Sequence, residues 1–335
     1  MQVKDLGEFG VIDLLNRMVI SQRSGPDNGA PFSFSLLVDT GDDTAVWETG
    51  KARELFTTDT MVEGVHFTRE TIPWRDLGWK SIASNVSDVA AMGGLPTYAL
   101  ITLGLPPETE VDDLKELYSG MLELSNQFGV AIVGGDVVRS PVVFITVSLT
   151  GVMQGEPMLR TNARPGDLVA VTGFLGGSGA GLRLMQQFPQ ETGDAADYLR
   201  SCHRRPLPAV SAGRLLADSG ITTAMDVSDG LFDDLSKLSR ASGVSARVRA
   251  DRVPVQTFVR ERFPDDWLGL ALGGGEDYVL LFTGSSAKVE AAVASIGEGA
   301  AVIGAIEAGE PGHVTVLGAS GEEISPAVHG WDHFL

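Results

Sequence analysis

The sequence has very little cysteine and few basic residues for its size. Among 335 residues there is one cysteine, Cys202. A single cysteine excludes an internal disulfide framework and any zinc site built from several cysteines, and it fits a reducing cytoplasm. The chain carries 25 Lys and Arg against 44 Asp and Glu, for a formal net charge of −19. This balance argues against nucleic acid or an anionic membrane as the main partner, and it is compatible with cations.

Long apolar runs, targeting patterns and repeats are also missing. The start "MQVKDLGEFGVIDLL" lacks the basic segment and apolar core of a signal peptide. No stretch of about 18 uncharged apolar residues follows, as a membrane-spanning helix would need. The absence of an internal repeat excludes a solenoid. We therefore expect a soluble, cytoplasmic protein, and its length favours two domains of roughly 150 residues each.

The apolar pattern predicts an α/β (α+β) chain in which long strands alternate with amphipathic helices. The segment "QGEPMLRTNARPGD" (154–167) combines proline, glycine and charge, so we place the domain boundary there, giving domains 1–153 and 154–335. The predicted elements of the first domain are a helix at 9–19, a loop at 24–33, strands at 44–49 and 54–61, helices at 74–94 and 111–129, and strands at 130–136 and 142–153.

Short acidic clusters recur at the edges of these elements. Each sets Asp or Glu beside Gly, Ser or Thr, where a chain end can direct a carboxylate into a cleft. A single cluster of this kind is most often a turn or a helix cap, because Asp accepts backbone N–H bonds there. Six such clusters are harder to dismiss together: "TGDDTAV" (40–46), "TTDTM" (57–61), "NVSDVAAMGG" (85–94), "VGGDVV" (133–138), "MDVSDGL" (225–231) and "GGGEDYVL" (273–280).

Clustered carboxylates suit magnesium and phosphate chemistry. Mg²⁺ prefers oxygen ligands supplied by carboxylates, carbonyls, water and substrate phosphate. Phosphoryl transfer needs the anionic oxygens neutralised, the reacting groups held in line and water excluded, with little covalent help from the protein. The clusters therefore favour a magnesium-dependent phosphoryl-transfer site.

Other motifs are weaker. The glycine-rich stretch "GFLGGSGAG" (173–181) lacks the lysine of a P-loop, and a tight strand-to-helix turn explains it about as well as a phosphate-binding role. Nucleotide phosphates would then be bound through metal, backbone N–H groups and an arginine such as Arg160. His66 is a lone histidine between apolar neighbours, for which an ordinary packed histidine is the default. No Ser-His-Asp order or Cys-His pair indicates nucleophilic catalysis.

A series of motifs resembles the thiamine-monophosphate kinase family, in order and across nearly the whole chain. Individual pieces recur in a wider ATP-binding superfamily that includes aminoimidazole ribonucleotide synthetase, selenophosphate synthetase and the hydrogenase-maturation carbamoyl-dehydrating protein. The combination of "TTDTMVEGVHF" with "GGEDY" is more specific than the rest. The motifs are "GEF" (7–9), "GDDTAV", "TTDTMVEGVHF", "NVSDVAAMGG", "GGD", "DVSDGL" and "GGEDY".

The resemblance implies ATP- and Mg²⁺-dependent phosphorylation of thiamine monophosphate to thiamine diphosphate by direct in-line γ-phosphoryl transfer. It implies a two-domain aminoimidazole ribonucleotide synthetase-like fold. The N-terminal domain would bind ATP and Mg²⁺ and form a dimeric β-barrel-like interface in a homodimer, and the C-terminal α/β domain would complete the substrate site. No catalytic general base is expected, since the acceptor phosphate, with a second pKa of about 6, is already anionic.

Carried over position by position, the resemblance assigns three groups of residues. Among the substrate-binding positions, the aromatic ring of Trp331 can stack on the cationic thiazolium, and the carboxylate of Glu276 can hydrogen-bond the aminopyrimidine. The metal-binding positions are Asp43, Thr57, Thr58, Asp59, Asp88, Asp136, Asp226 and Asp229. The ATP-binding positions are Tyr118, Gly135, Asp136, Arg160 and Ser228, and the substrate-binding positions are His66, Glu276 and Trp331.

Three alternatives remain open. The first is a related enzyme that uses ATP on another acceptor, such as an aminoimidazole ribonucleotide synthetase-like ligase. The second is a non-catalytic protein that binds nucleotide or stores metal. The third is a scaffold protein whose acidic clusters are only caps. Two members of the superfamily are disfavoured. Selenophosphate synthetase has a reactive cysteine in a glycine-rich N-terminal segment and the hydrogenase-maturation protein ends in cysteine, whereas the one cysteine here, Cys202, lies mid-chain.

Overall fold

The computed structural model describes residues 35–38, 42–49 and 52–324. The expected helix at 9–19, the loop at 24–33 and Trp331 lie outside these residues. The described chain forms a six-stranded and a seven-stranded sheet, each covered by helices. None of its helices combines the length and the apolar character that crossing a bilayer requires.

The first sheet comes from the N-terminal half. Its strands are β1 (Ser35–Val38), β2 (Ala45–Thr49), β3 (Ala52–Val62), β4 (Leu95–Leu105), β5 (Ala131–Arg139) and β6 (Phe144–Met153). They lie in the order β1-β2-β3-β6-β4-β5, and only β4 and β5 pair in parallel. The predicted strands at 44–49, 54–61 and 142–153 are confirmed as β2, β3 and β6. Alternation along β6 buries one face of the sheet.

Two helices cover that buried face. They are α1 (Trp74–Ala91) and α2 (Val111–Phe128), and both agree with the prediction. Gly129 ends α2 in the left-handed conformation, φ 72°. The two helices approach closely because each presents a glycine: a Cβ on Gly78 would lie 1.9 Å from the Leu117 carbonyl oxygen, and one on Gly120 would lie 1.7 Å from that of Arg75.

The second half forms a mixed sheet with helices around it. The strand order is β13-β12-β9-β11-β7-β10-β8, and only β9 and β12 pair in parallel. Its strands are β7 (Leu168–Val171), β8 (Thr223–Asp226), β9 (Ser245–Arg249), β10 (Leu280–Gly284), β11 (Ala301–Glu307), β12 (Val314–Leu317) and β13 (Glu323–Ile324). Its helices are α3 (Gly177–Gln187), α4 (Asp194–Arg204), α5 (Val210–Asp218), α6 (Leu231–Ala241), α7 (Thr257–Arg262), α8 (Trp267–Gly273) and α9 (Ser286–Ile296), with a 3₁₀ turn at Ala250–Arg252.

Helix α1 lies at the centre of the molecule. It packs against the first sheet and α2 on one side, and against α4, α5 and β8 of the second half on the other. Thirteen of its eighteen residues are buried, so it has no solvent-facing side of the usual kind. One apolar core therefore runs from the first sheet through α1 to one face of the second sheet, while a second core fills the other face. Two polar residues of α1, Lys80 and Ser87, contact residues of the second half.

Candidate active site

Three carboxylates from distant parts of the chain meet at the seam between the two halves. Asp43 precedes β2, Asp88 lies in the last turn of α1, and Asp226 ends β8. One oxygen of each lies within 4.8 Å of the others. The apolar flanks of each motif form buried elements, and these elements bring the polar chain ends to one place. The prediction that Asp88 lies near the end of its helix is confirmed.

Hydroxyl groups orient two of these carboxylates. Thr57 Oγ1 donates to Asp88 Oδ2 at 2.5 Å, and Ser87 Oγ donates to Asp226 Oδ2 at 2.7 Å. Each aspartate therefore keeps one oxygen that is not engaged by its hydroxyl partner. This arrangement holds the side chains in place without neutralising them.

The charges at this position repel one another. Burial raises the pKa of Asp88 well above its usual range, and the neighbouring Asp59, Asp226 and Asp43 raise it further. Burial likewise raises the pKa of Asp226, with Asp43 as the next cause. A buried group of carboxylates with raised pKa values either binds protons or binds a cation.

Arg160 is the arginine nearest to the group. Its Nε and Nη2 donate to the two oxygens of Asp43 at 3.2 and 2.5 Å, and its backbone N–H donates to Asp42 Oδ2 at 3.1 Å. Burial and the Asp43 charge raise the pKa of Asp42 to about 7. The residue predicted to contact ATP is thus bound to a predicted metal ligand, at the edge of the carboxylate group.

The remaining predicted residues of β3 divide between the two sheet faces. Asp59 pairs with Val147 of β6 and shares the buried face with Thr57, and burial raises its pKa, with Asp229 and Asp43 as further causes. Thr58 points to the other face, where its hydroxyl donates to the Val147 carbonyl at 3.0 Å. Only the backbone of Thr58 is therefore available on the side of the carboxylates.

A second acidic group lies at the start of α6. Oxygens of Asp229, Asp233 and Asp234 lie within 4.8 Å of one another, and the Lys237 ammonium contacts all three carboxylates. Asp234 Oδ2 also accepts the backbone N–H groups of Ser228, Asp229 and Gly230 at 3.0, 3.0 and 3.1 Å. The predicted metal ligand Asp229 and the predicted ATP contact Ser228 both belong to this capped turn.

The glycine-rich stretch forms a strand-to-helix turn whose backbone N–H groups already bind a side-chain carboxylate of the protein. Asp277 Oδ2 and Oδ1 accept the backbone N–H groups of Gly176 and Ser178 at 2.6 and 2.9 Å. Burial raises the pKa of Asp277 to about 7. Because a side chain of the protein occupies the N-terminus of α3, the turn interpretation is favoured over a phosphate-binding one.

Glu276 sits next to Asp277 in a buried polar network. Its Oε2 lies 2.7 Å from Lys80 Nζ, and Lys80 Nζ lies 3.3 Å from His203 Nε2. Glu276 and Tyr278 both have positive φ, 64° and 49°, which is uncommon for residues other than glycine. Backbone of this kind is concentrated at functional sites.

Other predicted residues lie apart from the carboxylate group. Gly135 and Asp136 are on β5, at the sheet edge, and Gly135 is in the same cross-strand row as Asp59, three strands away. At about 4.8 Å per strand, that is roughly 14 Å. Tyr118 is half-buried on α2, and His66 Nδ1 accepts the Val62 backbone N–H at 3.0 Å.

Several residues at the site were not predicted from the sequence. Lys80 lies inside a pattern that reads as an ordinary amphipathic helix, and Lys237 follows Asp233 and Asp234 at helical spacing, where a surface ion pair is the usual interpretation. His203 belongs to α4, which was not predicted. Asp42 could have been found, because it shares the "GDD" motif with Asp43.

Comparison with known proteins defines the class first. Residues 41–153 match the family model described as AIR synthase related protein, N-terminal domain, and residues 164–317 match its C-terminal domain counterpart. A solved structure described as AaThiL complexed with AMPPCP and TMP has a TM-score of 0.85 and 34% identity, with 99% of each chain covered. The chain therefore belongs to the AIR synthase related proteins and shares their two-domain fold.

Curated relatives narrow the class. The thiamine-monophosphate kinase of Aquifex aeolicus is 35% identical over 100% of both chains. That of Bacillus subtilis is 38% identical over 76% of this chain and 80% of its own. The chain belongs to the thiamine-monophosphate kinase family.

Proposed function

We propose that this protein transfers the γ-phosphoryl group of ATP to thiamine monophosphate and so forms thiamine diphosphate. The observation that carries the proposal is the meeting of Asp43, Asp88 and Asp226 at the seam between the two halves. Two phosphorylated anions repel each other, and a chain with net charge −19 repels both. A site of this composition therefore needs divalent cations to bring the substrates together. The relatives named above, which match over most or all of their length, support the same activity.

Magnesium ions fit the residues present. Each donor is an oxygen, and the raised pKa values of Asp88 and Asp226 reflect buried negative charge that a cation would stabilise. When bound, Mg²⁺ neutralises and aligns the phosphate oxygens. We propose that several ions are held by Asp43, Asp59, Asp88 and Asp226, with Thr57 and the backbone of Thr58. Asp136 completes the proposed set, and Asp229 would join it by exchanging its contact with Lys237 for the ion.

The protein's own part in the reaction is positioning. Hydroxyl groups of Thr57 and Ser87 fix the orientation of the carboxylates. No side chain is proposed as a general base, since the attacking phosphate is already ionised at neutral pH. Arg160, bound to Asp43, is placed to interact with the nucleotide phosphates, and Ser228 offers a contact from the turn before α6.

Completion of the ATP site by a second copy is also proposed. Strand β5 is an edge strand with exposed apolar side chains, including Val133 at 59% and Val137 at 65%. An edge of this kind calls for a covering partner. Gly135 and Asp136 lie too far from Asp59 to share a site with it in one protomer. In a homodimer built on this edge, with the barrel-like interface expected from the sequence, they would contact ATP and metal in the partner's site. Tyr118 would contact the nucleotide from α2.

The thiamine part of the substrate is assigned to the other end of the seam. We propose that Glu276 accepts a hydrogen bond from the aminopyrimidine and that His66 lines the same space, with Trp331 stacking on the thiazolium. The domains are proposed to run over 1–153 and 154–335, a division supported by the two sheets. A cytoplasmic location remains a proposal from composition, with one cysteine and an acidic balance.

Product analysis tests this function directly. Purified protein is incubated with ATP, Mg²⁺ and thiamine monophosphate, and the products are separated and identified, with thiamine as the control acceptor. We expect thiamine diphosphate and ADP in equal amounts. ADP released without thiamine diphosphate, or a product only with formylglycinamidine ribonucleotide, would contradict the proposal and favour another superfamily activity. Binding of ATP and Mg²⁺ without any ADP would favour a non-catalytic protein.

A further inference from the structure

Lys80 is among the largest fully buried side chains of the described residues. Its side chain is 1% exposed, on the central helix α1, and Nζ lies 2.7 Å from Glu276 Oε2. Burying an ammonium group costs several kcal/mol unless charge and hydrogen bonds compensate it, and well-packed apolar residues often serve stability as well or better. A buried lysine at this position therefore calls for an explanation other than stability.

A second acceptor fixes the ammonium from the other side. Lys80 Nζ lies 3.3 Å from His203 Nε2, and His203 Nδ1 lies 3.0 Å from Ser178 Oγ. Burial, together with the charge of Lys80, lowers the pKa of His203 well below its usual range, so the imidazole is neutral. Nε2 then accepts a hydrogen bond from the Lys80 ammonium, and the Nδ1 N–H donates a hydrogen bond to Ser178 Oγ. Residues of α3 and α4 therefore hold the Lys80 ammonium in position.

Glu276 connects this buried network to the solvent-accessible surface. Its side chain is 27% exposed, whereas that of Lys80 is 1% exposed. Oxygen Oε2 is taken by Lys80, with His203 Nδ1 at 3.5 Å. Within the part of the chain that the structure describes, Oε1 accepts no hydrogen bond. The strained backbone of Glu276 is held by its N–H, which donates to the Ser228 carbonyl at 2.8 Å.

We propose that Lys80 is a positioning residue for substrate binding: its contact with Oε2 holds the Glu276 carboxylate in the orientation in which Oε1 accepts a hydrogen bond from the amino group of the aminopyrimidine of thiamine monophosphate. This inference rests on the proposed function. It adds that α1 supplies both ends of the site, with Asp88 at the phosphate end and Lys80 behind the residue that recognises the pyrimidine. The two residues lie eight positions apart on one helix.

A purely structural ion pair makes different predictions. If Lys80 only joins the two halves, its removal lowers stability and affects all substrates alike. If it positions Glu276, its removal weakens binding of the aminopyrimidine and leaves ATP binding and the chemical step nearly unchanged. The KM for each substrate and kcat therefore separate the two roles.

The test is Lys80→Met, in which the thioether chain replaces the aliphatic stem of lysine. We expect the KM for thiamine monophosphate to rise about tenfold or more, as for loss of a charge-assisted hydrogen bond, while kcat and the KM for ATP change less than about threefold. Lys115→Met removes an exposed lysine paired with Asp112 and should change none of these quantities. Thermal unfolding of each variant shows whether it is folded.

Two further measurements keep the test decisive. Glu276→Gln needs no counter-charge, so adding Lys80→Met to it should change the KM for thiamine monophosphate less than about twofold. A thiamine monophosphate analogue without the amino group should be used equally well by wild type and Lys80→Met. Additive effects in the double variant, an equal loss with the analogue, or an unchanged KM in Lys80→Met would overturn the positioning role. Wild type that forms no thiamine diphosphate would overturn the proposed function itself.

Discussion

The two acidic groups of this protein differ in what neutralises them. Asp229, Asp233 and Asp234 surround the ammonium of Lys237, and three backbone N–H groups donate to Asp234. In the group of Asp43, Asp88 and Asp226, an arginine binds Asp43, while within the described ranges no lysine or arginine hydrogen-bonds Asp88 or Asp226. The first group carries its own cation, and the second still requires one.

This difference shows why proximity of carboxylates is a poor guide to a metal site. Both groups place three oxygens within 4.8 Å of one another. In one, lysine and the start of α6 form a stable turn, which is the ordinary role of aspartate at a helix N-terminus. Burial raises the pKa of Asp234 in that turn to about 7, but the Lys237 charge opposes the rise. In the other group, burial and repulsion among the carboxylates raise the pKa values of Asp88 and Asp226 well above their usual range. The unmet charge, rather than the number of acidic residues, identifies the candidate magnesium site.

The largest expected effect is that of Asp226→Asn on turnover. The amide keeps the shape of the side chain and removes one charge, so we expect kcat to fall by about 10²–10³-fold, or roughly 3–4 kcal/mol of transition-state stabilisation. The free energy of unfolding without Mg²⁺ should be unchanged or higher, because one buried repulsion is relieved. Steady-state kinetics and urea unfolding at pH 8 measure the two quantities.

The matched control for this variant is Asp112→Asn on the exposed surface of α2, where the aspartate side chain is 87% exposed. It should leave both kcat and stability as in wild type. A parallel loss of turnover and stability in Asp226→Asn would assign the carboxylate to folding instead of metal binding.

The next effect is a pH dependence of Mg²⁺ binding. Because the pKa values of Asp88 and Asp226 are raised, the metal-free folded site holds protons that the unfolded chain has released. The contribution of these two carboxyl groups to stability without metal is therefore fully present below the pKa of an unfolded-chain aspartate, about 3.9, and is lost as pH rises through the raised pKa values. Mg²⁺ must displace those protons, so its affinity should increase by up to about tenfold per pH unit for each proton released.

Calorimetry in two buffers with different ionisation enthalpies counts the protons released at each pH. In Asp226→Asn the count should fall. A Mg²⁺ affinity that is constant between pH 6 and pH 8, with no proton release, would mean that the carboxylates of the site are already ionised. The two acidic groups would then differ little in uncompensated charge.

Local pattern predicted the elements that carry the site, but not how the charges are distributed among them. Strand β3 and helices α1 and α2 follow from alternation and helical spacing. The acidic motifs contain Asp43, Asp88 and Asp226, and the family resemblance assigned these residues to metal binding. Strand β4, which contains a proline near its start and a glycine near its end, gave no clear signal. Pairings such as Lys80 with Glu276 join residues 196 positions apart, and no local pattern encodes them.

The same limit explains why the two acidic groups looked alike in the sequence. Asp229 and Asp226 share the motif "MDVSDGL", three positions apart, yet one side chain faces Lys237 and the other faces Asp43 and Asp88. Which aspartate retains a partner depends on the direction of the chain after β8, and that direction is set by the three N–H bonds to Asp234.

The smallest expected effect comes from removing the internal cation of the second group. Lys237→Met leaves three carboxylates facing one another, so we expect the free energy of unfolding to fall by about 1 kcal/mol without Mg²⁺ and to be largely restored by Mg²⁺. Lys288→Met, which removes a surface lysine bound to the Gly220 carbonyl, should show no such restoration. Urea unfolding with and without Mg²⁺ measures both. Mg²⁺ that stabilises Lys237→Met no more than wild type would contradict this expectation. The two acidic groups would then differ in geometry as well as in charge, because the turn that caps α6 would lack the open coordination positions that a metal needs.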